Sequence, residues 1–591
     1  MEWQAFFSLG LTVSVLAALV LLPRLSADAA LMAALILLCL TGILTPDEAL
    51  AGFSNHGLIT VAAMFVVAAG IKSAGGVDMI VNGVLGQPKG PRRALLRMMM
   101  PVALLSGFMN NTPVVATMIP AVSQWARKIR QPTSALMIPL SYASILGGTL
   151  TIIGTSTNLV VNGQYQALTG AAGFDLFSIT PIGVAVLLAG LVFVVVVAPL
   201  LLTERRSPDQ TFADARQFTF EVAVATDGPL VGKSIQAAGL RNLQKIFLAE
   251  IERDDRIIGA VNPQEVLRGG DRLVFVGETD AIVDVLRING LVPAVGSQPS
   301  LERKLPERNL IEAVVAPQCE AIGRTIRAAR FRDRYGAVVL AVARNGEHIR
   351  GRLSSIIVQP GDVLLLETSS GGATGRLRNS RDFLLINELN HELPDHSRAW
   401  LSWGILAGIV ALAASGVLSM LNASLLGAGL MVLSRCLRVG DARRSLDLAV
   451  LITIAASFAL GVALEKTGAA DMIAYSLTSL AGNNPFVLLV VTYFSVMLLT
   501  EMITNNAAAM LMLPVVLAIA EQSGLNQAPF VIAVMFAASA SFATPLGYQC
   551  NLMVYGPGGY RFSDFLKIGI PMNLLVAAIT LTLLPLFYPL S

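Results

Sequence analysis

Met109-Asn110-Asn111-Thr112-Pro113 interrupts an apolar stretch running from residue 94 to 125, and Thr504-Asn505-Asn506 interrupts a second, from 485 to 522. A helix crossing a roughly 30 Å hydrocarbon core needs about 20 apolar residues, and each arm of the first stretch offers only about 15. Two short apolar arms around a polar, Pro-bearing break predict a re-entrant hairpin, since irregular backbone is tolerated at membrane depth only where protein lines it.

Working outward, spans are expected near 5–23, 28–45, 57–71, 134–162 and 178–203, and again near 401–416, 418–434, 445–464, 530–556 and 568–589. The two sets read as internal repeats. Gly75-Gly76-Val77-Asp78-Met79-Ile80 matches Gly468-Ala469-Ala470-Asp471-Met472-Ile473. Asn110-Asn111 matches Asn505-Asn506, and Asn158-Leu159 matches Asn551-Leu552. Asp78 and Asp471, beside Gly at equivalent helix starts, are expected to act as N-caps. The stretch Phe6 to Leu22 has no basic segment before it and is read as a retained helix.

Composition agrees with this reading. Of 591 residues, 54% are hydrophobic and 14% charged, against about 25% charged in soluble proteins. A net charge of +3 excludes a strongly basic nucleic-acid binder. Cys39, Cys319, Cys436 and Cys550 lie far apart, which encodes neither a disulfide framework nor a zinc site. Residues 204–398 hold 26 of the 42 Lys and Arg and are expected to form a soluble insert.

The insert repeats internally. Glu221, Gly232-Lys233-Ser234-Ile235 and Gly270-Asp271 recur 91 residues later as Glu312, Gly323-Arg324-Thr325-Ile326 and Gly361-Asp362. Strands are expected at 247–251 and 273–276, and a short helix at 234–240. The domain boundaries are therefore 1–203 (repeat 1, hairpin 94–125), 204–303, 304–398, and 399–591 (repeat 2, hairpin 485–522).

Charge placement sets the topology. With both termini outside and 204–398 cytoplasmic, 15 of the 16 basic residues in the membrane thirds face inward; only Lys466 falls outside. Five spans plus one hairpin per repeat then make the repeats inverted, the arrangement of secondary transporters. Four polar breaks stand at repeat-related positions. They are Asn110-Asn111-Thr112, Thr504-Asn505-Asn506, Gly154-Thr155-Ser156-Thr157-Asn158, and Ala543-Thr544-Pro545-Leu546-Gly547 with Gln549 and Asn551 beyond. Any single Asn or Thr in such a helix ordinarily makes an interhelical hydrogen bond. Four together suit a binding site, where free N–H groups attract an anion and oxygens coordinate Na+. No Lys, Arg or His lies in them, which makes cation coupling chemically sensible. Glu501 is read either as a proton or cation carrier or as a hydrogen-bonded structural acid. His56, His348, His391 and His396 are assigned no chemistry.

The runs Thr45–Asn55, Thr504–Met510 and Ala543–Gly559 resemble the divalent anion/sodium symporter family, and the insert resembles paired TrkA-C (RCK C-terminal) domains. The resemblance implies an α-helical polytopic membrane protein in the plasma (inner) membrane. It also implies an elevator-type homodimer with no enzymatic activity and no cofactor beyond Na+ as coupling ion. Carried onto this sequence, the family motifs assign substrate binding to Asn110, Asn111, Thr112, Ser156, Thr157, Asn505, Asn506, Thr544 and Pro545. Sodium goes to Asn111, Gly154, Thr155, Asn158, Thr504, Asn506, Ala543, Gly547 and Asn551. The hairpin motif Ser-Asn-Thr reads Asn-Asn-Thr and Asn-Asn-Ala here, which favours a compact inorganic anion over a carboxylate. The expected function is sodium-coupled symport of a divalent oxyanion, sulfate first. Alternatives are dicarboxylate, proton-coupled, arsenite or Na+/H+ transport, or a transporter-like nutrient sensor. A small regulatory ligand such as a nucleotide is expected at residues 218–390, with lipid as the surrounding partner and no nucleic acid.

Overall fold

The computed structural model describes the chain except for residues 1, 22–24, 77–78, 80–84, 87, 89, 130, 203–218, 241–245, 254–255, 260–263, 278–287, 294–308, 317–318, 345–346, 350–354, 369–376, 378–379, 381, 389–397, 483 and 546. Two compact units emerge. One joins Met1–Glu204, Leu393–Tyr555 and Tyr560–Ser591; the other holds Arg205–Glu392 with Gly556–Gly559.

In the helical unit the first half runs α1 (Glu2–Leu21), α2 (Ala27–Leu40), α3 (Pro46–Leu50), α4 (His56–Ser73), α5 (Pro91–Ser106), α6 (Asn111–Lys128), α7 (Met137–Gly148), α8 (Ser156–Thr169) and α9 (Thr180–Leu201). The second half runs α10 (Ala399–Ala414), α11 (Met420–Leu433), α12 (Val439–Ser445), α13 (Leu448–Lys466), α14 (Ala469–Ala481), α15 (Pro485–Met502), α16 (Asn505–Gln522), α17 (Gln527–Ser539), α18 (Gln549–Tyr555) and α19 (Phe562–Phe587). Polar residues set the starts. Thr45 and Glu48 form a capping box before α3. The side chains of Asn55, Asp447, Asn484 and Asn526 accept from the first backbone N–H groups of α4, α13, α15 and α17.

Among the described residues, five helical segments are long and apolar enough to cross a membrane: Pro46–Ser73, Thr180–Leu201, Leu448–Lys466, Pro485–Met502 and Phe562–Phe587. The fourth is α15, which has 18 residues and forms the first arm of the stretch 485–522. The expected spans 134–162 and 530–556 are each two helices, α7 with α8 and α17 with α18, separated by irregular backbone. A dry core joins Leu31, Leu35 and Leu38 of α2 to Ala456, Ala459 and Ala463 of α13 and Ala507, Ala508 and Leu511 of α16. Alanines at this contact let the helix backbones approach closely.

Asp471 does not cap. Gly468 occupies the cap position of α14, and Asp471 Oδ1 accepts from Gln522 Nε2 at 3.0 Å. Asp78 lies outside the described residues, as do the basic residues Arg24, Lys89 and Arg130 and the imidazoles of His391 and His396. Lys466 Nζ pairs with both oxygens of Glu48, at 2.8 and 2.7 Å.

The second unit holds two five-stranded antiparallel sheets. β1 (Thr219–Val224), β2 (Ile246–Arg253), β3 (Arg256–Gly259), β4 (Arg272–Gly277) and β5 (Leu291–Pro293) order as β3-β2-β4-β1-β5. β6 (Asn309–Val315), β7 (Ala337–Arg344), β8 (Glu347–His348), β9 (Val363–Thr368) and β10 (Phe383–Glu388) order as β10-β6-β9-β7-β8. Read from the other end, the second order is the first with each strand number raised by five. The helix expected at 234–240 is a run of turns instead, pinned by a bridge between Ser234 and Val266.

One ion pair recurs in both sheets. Arg253 Nε and Nη2 donate to Asp271 at 2.8 and 2.7 Å, and Arg344 donates to Asp362 at 2.7 and 2.8 Å. Both carboxylates are buried and also accept a backbone N–H, from Arg268 and Gln359. The pairing raises the pKa of both arginines further above its usual value.

Removing one partner of a buried pair strands the other charge, so Asp362→Ala should destabilise the insert by about 3 kcal/mol; pulse proteolysis of the purified full chain checks this. Burial pushes the Cys319 thiol up to about 11. Since the thiolate is the nucleophile, Cys319 should resist iodoacetamide at pH 8 in the folded protein and react on denaturation. The thiol binds its proton more tightly folded than unfolded, so its contribution to stability is lost as pH rises towards 11.

Candidate functional site

The first tip lies between α5 and α6. Oriented with its oxygen towards Tyr548, the Asn111 amide accepts the phenol hydrogen at 2.5 Å. Its nitrogen then reaches Ser106 Oγ at 2.5 Å, Ser144 O at 3.1 Å and Gly154 O at 3.2 Å. The second tip lies between α15 and α16. There Thr500 Oγ1 donates to Asn505 Oδ1 at 3.0 Å and to Ala538 O at 2.8 Å. In each tip the first residue of the returning helix is tied to a hydroxyl five residues before it. Asn111 therefore corresponds to Asn505, an offset of 394 (111 to 505). This corrects the sequence pairing of Asn110-Asn111 with Asn505-Asn506 and places Thr112 opposite Asn506.

Between α7 and α8, and between α17 and α18, the backbone unwinds, and one asparagine in each half satisfies the freed carbonyls. Asn158 Nδ2 lies 3.5 Å from Gly148 O and 3.4 Å from Thr151 O. Asn551 Nδ2 lies 2.9 Å from Ser541 O and 3.1 Å from Thr544 O. Each break is also tied to a tip: Thr151 Oγ1 donates to Gly107 O at 2.5 Å and Thr544 Oγ1 to Glu501 O at 3.1 Å. Glycine is required at Gly154 and Gly547. An added Cβ would fall 2.6 Å from Gly148 O in the first and 2.7 Å from Thr500 O in the second.

The halves differ in two details. Asn551 Oδ1 accepts from Ser141 Oγ at 2.7 Å, whereas Asn158 Oδ1 is buried with no hydrogen-bond donor among the described residues. Glu501 stands where the first half has Gly107. Its carboxylate accepts from Ala543 N at 3.0 Å, Asn573 Nδ2 at 2.8 Å and Ser541 Oγ at 3.3 Å. These contacts stitch α15, the second break and α19 together.

The tips and breaks meet each other. Tyr548 OH lies 3.2 Å from Thr155 Oγ1; the two residues are 393 apart, so equivalent positions of the two halves touch. Asn506 Oδ1 accepts from Ser156 Oγ at 3.3 Å and Thr157 Oγ1 at 3.0 Å, and Thr112 Oγ1 donates to Gln549 Oε1 at 3.4 Å. Asn110 is half-buried and Thr504 exposed at the tips, while Pro545 is buried within its break. Sequence reasoning missed Tyr548 and gave Gln549 no role. The usable signal was the repeat itself, because position 548 carries an aromatic where the other half carries Thr155.

No positively charged side chain takes part in these contacts. The positive dipole ends of α6, α8 and α16 converge on the cluster. Among the described residues no group of three or more His, Cys, Asp and Glu gathers to hold a metal; a cation here would meet neutral oxygens, with Asn158 Oδ1 unclaimed.

Comparison with known proteins agrees with a transport role. The family model described as "Citrate transporter" matches residues 16–520 and 505–590. A putative sulfur deprivation response regulator of Chlamydomonas reinhardtii is 36% identical, over 95% of this chain and 98% of that protein. An uncharacterized transporter of Synechocystis is 34% identical, over 99% and 98%. Sodium/sulfate cotransporter 2 of Chlamydomonas reinhardtii is 27% identical, over 90% and 84%. The chain belongs to the citrate transporter family, a family of membrane transporters and not of enzymes.

Tyr548→Phe leaves the buried Asn111 amide oxygen without its donor and should cost about 1–3 kcal/mol, read as a lowered Tm in detergent. Glu501→Ala leaves the Ala543 N–H and the Asn573 amide without their shared acceptor and should lower Tm at least as far. An unchanged Tm in both would mean that these contacts do not hold the breaks.

Proposed function

We propose that this member of the citrate transporter family is a sodium-coupled symporter of a divalent oxyanion, sulfate first, working by an elevator-type movement in a homodimer. The observation that carries the reading is the cluster of neutral donors and acceptors where two hairpin tips meet two unwound helices. A dianion entering a negative-inside cell works against about 2.3 kcal/mol per charge per 100 mV. With no lysine, arginine or histidine in the cluster, co-bound cations must supply the compensating charge. Buried, unclaimed Asn158 Oδ1 is the kind of ligand a hard cation takes. Two relatives named sodium/sulfate cotransporters, 26 and 27% identical, support the choice of Na+ and sulfate.

The two halves act as inverted repeats in this reading. Support comes from the hydrogen bonds that recur at offsets of 393 and 394, together with the one-sided placement of basic residues. The insert acts as a pair of cytoplasmic TrkA-C-like regulatory domains with a small ligand such as a nucleotide, a role supported by its two sheets of equivalent strand order. Both termini lie outside. Glu501, held by three donors, serves to fix the second break rather than to carry a proton.

One relative favours a second reading. The name "sulfur deprivation response regulator" suits a nutrient sensor whose membrane part binds the anion and whose insert passes on the signal.

Reconstituted full-length protein should take up sulfate faster than succinate or citrate, and only with an inward Na+ gradient. Asn506→Ala should reduce that uptake by roughly 10-fold or more, the loss of a hydrogen bond to a charged ligand. Uptake indifferent to Na+ would sink the coupling; citrate uptake alone would replace sulfate; saturable sulfate binding without uptake would favour the sensor.

A further inference from the structure

We infer that Asn506 and Gln549 form a pair of amide donors that accepts fully ionised oxyanions and rejects those still carrying a proton; the inference rests on the anion site proposed above. An amide offers an acceptor at one end and two donors at the other. In both residues the oxygen end faces a hydroxyl of the first half. Asn506 Oδ1 receives Ser156 Oγ and Thr157 Oγ1, and Gln549 Oε1 receives Thr112 Oγ1. Neither amide nitrogen has a partner among the described residues, and Gln549 is exposed while Asn506 is half-buried. Four N–H bonds are therefore left for a ligand.

The arrangement follows the internal repeat. Ser156 and Gln549 occupy equivalent positions, as do Thr112 and Asn506. In both of these contacts the first half supplies the hydroxyl and the second half the amide. With each hydroxyl donating to the amide oxygen, the N–H end of both amides faces away from it. Between them the Tyr548 hydroxyl is also occupied, giving its hydrogen to Asn111 and contacting Thr155. A fully ionised oxyanion such as sulfate only accepts hydrogen bonds and matches this surface. Phosphate at neutral pH keeps at least one O–H, whose hydrogen meets the outward N–H groups of both amides. A site whose polar groups are left mismatched rejects the wrong ligand strongly.

The test is displacement of radiolabelled sulfate from the purified full-length protein at pH 7. Selenate should compete at concentrations similar to sulfate, and phosphate should need roughly 10- to 100-fold more. Thr112→Val releases Gln549 Oε1, so the amide can turn and accept; the gap between selenate and phosphate should narrow about 10-fold, whereas Thr112→Ser should keep it. Gln549→Glu, an acceptor at both ends, should weaken sulfate binding by more than about 10-fold. Phosphate competing as well as selenate in the unsubstituted protein overturns the inference. So does a Thr112→Val protein that discriminates as Thr112→Ser does. A protein that binds none of the three anions overturns the anion site itself, and this inference with it.

Discussion

A helix that stops inside an apolar layer leaves carbonyls and N–H groups that only protein can satisfy, and the rest of this architecture depends on how that is done. Asn158 and Asn551 each turn their amide back onto two carbonyls of their own break. Thr151 and Thr544 tie each break to the neighbouring tip. With those bonds in place, the chain can hold four irregular segments together among apolar helices. Without them, each break would cost several kcal/mol per buried, unpaired group.

The same constraint explains the asymmetry between the halves. Both build one framework with matching hydrogen bonds, yet only the second adds a carboxylate. Glu501 takes donors from Ala543, Asn573 and Ser541, where Gly107 offers the first half nothing but backbone. The second break is thus the more firmly held. The first retains at Asn158 an acceptor that is unclaimed among the described residues.

The insert solves a different problem, since its strands supply their own backbone partners. Its shared device is the buried Asp271 and Asp362, each held by an arginine eighteen residues earlier in the chain and by a backbone N–H three residues earlier. That the two sheets repeat both this pairing and the strand order follows from a sequence repeat of 91 residues.

Much of the helical layout was legible in the sequence, because long apolar runs and polar breaks are local features with a direct physical cost. Motifs such as Asn158-Leu159 and Asn551-Leu552 marked the repeat, and Gly270-Asp271 marked a turn. The turns at 234–240 escaped because short polar-apolar alternation does not separate a helix from a run of turns. Asp471 was misjudged because a carboxylate near a helix start caps only if the backbone brings it to the cap position, which Gly468 occupies. By itself the sequence determined where the apolar helices lie, where they break and that the breaks are uncharged, since each depends on neighbours in the chain. Only the tertiary structure decided that Asn111 corresponds to Asn505, that Tyr548 joins the halves and that Gln549 faces Thr112. Those relations span hundreds of residues, and side chains that meet only when the two halves pack leave no local pattern to read.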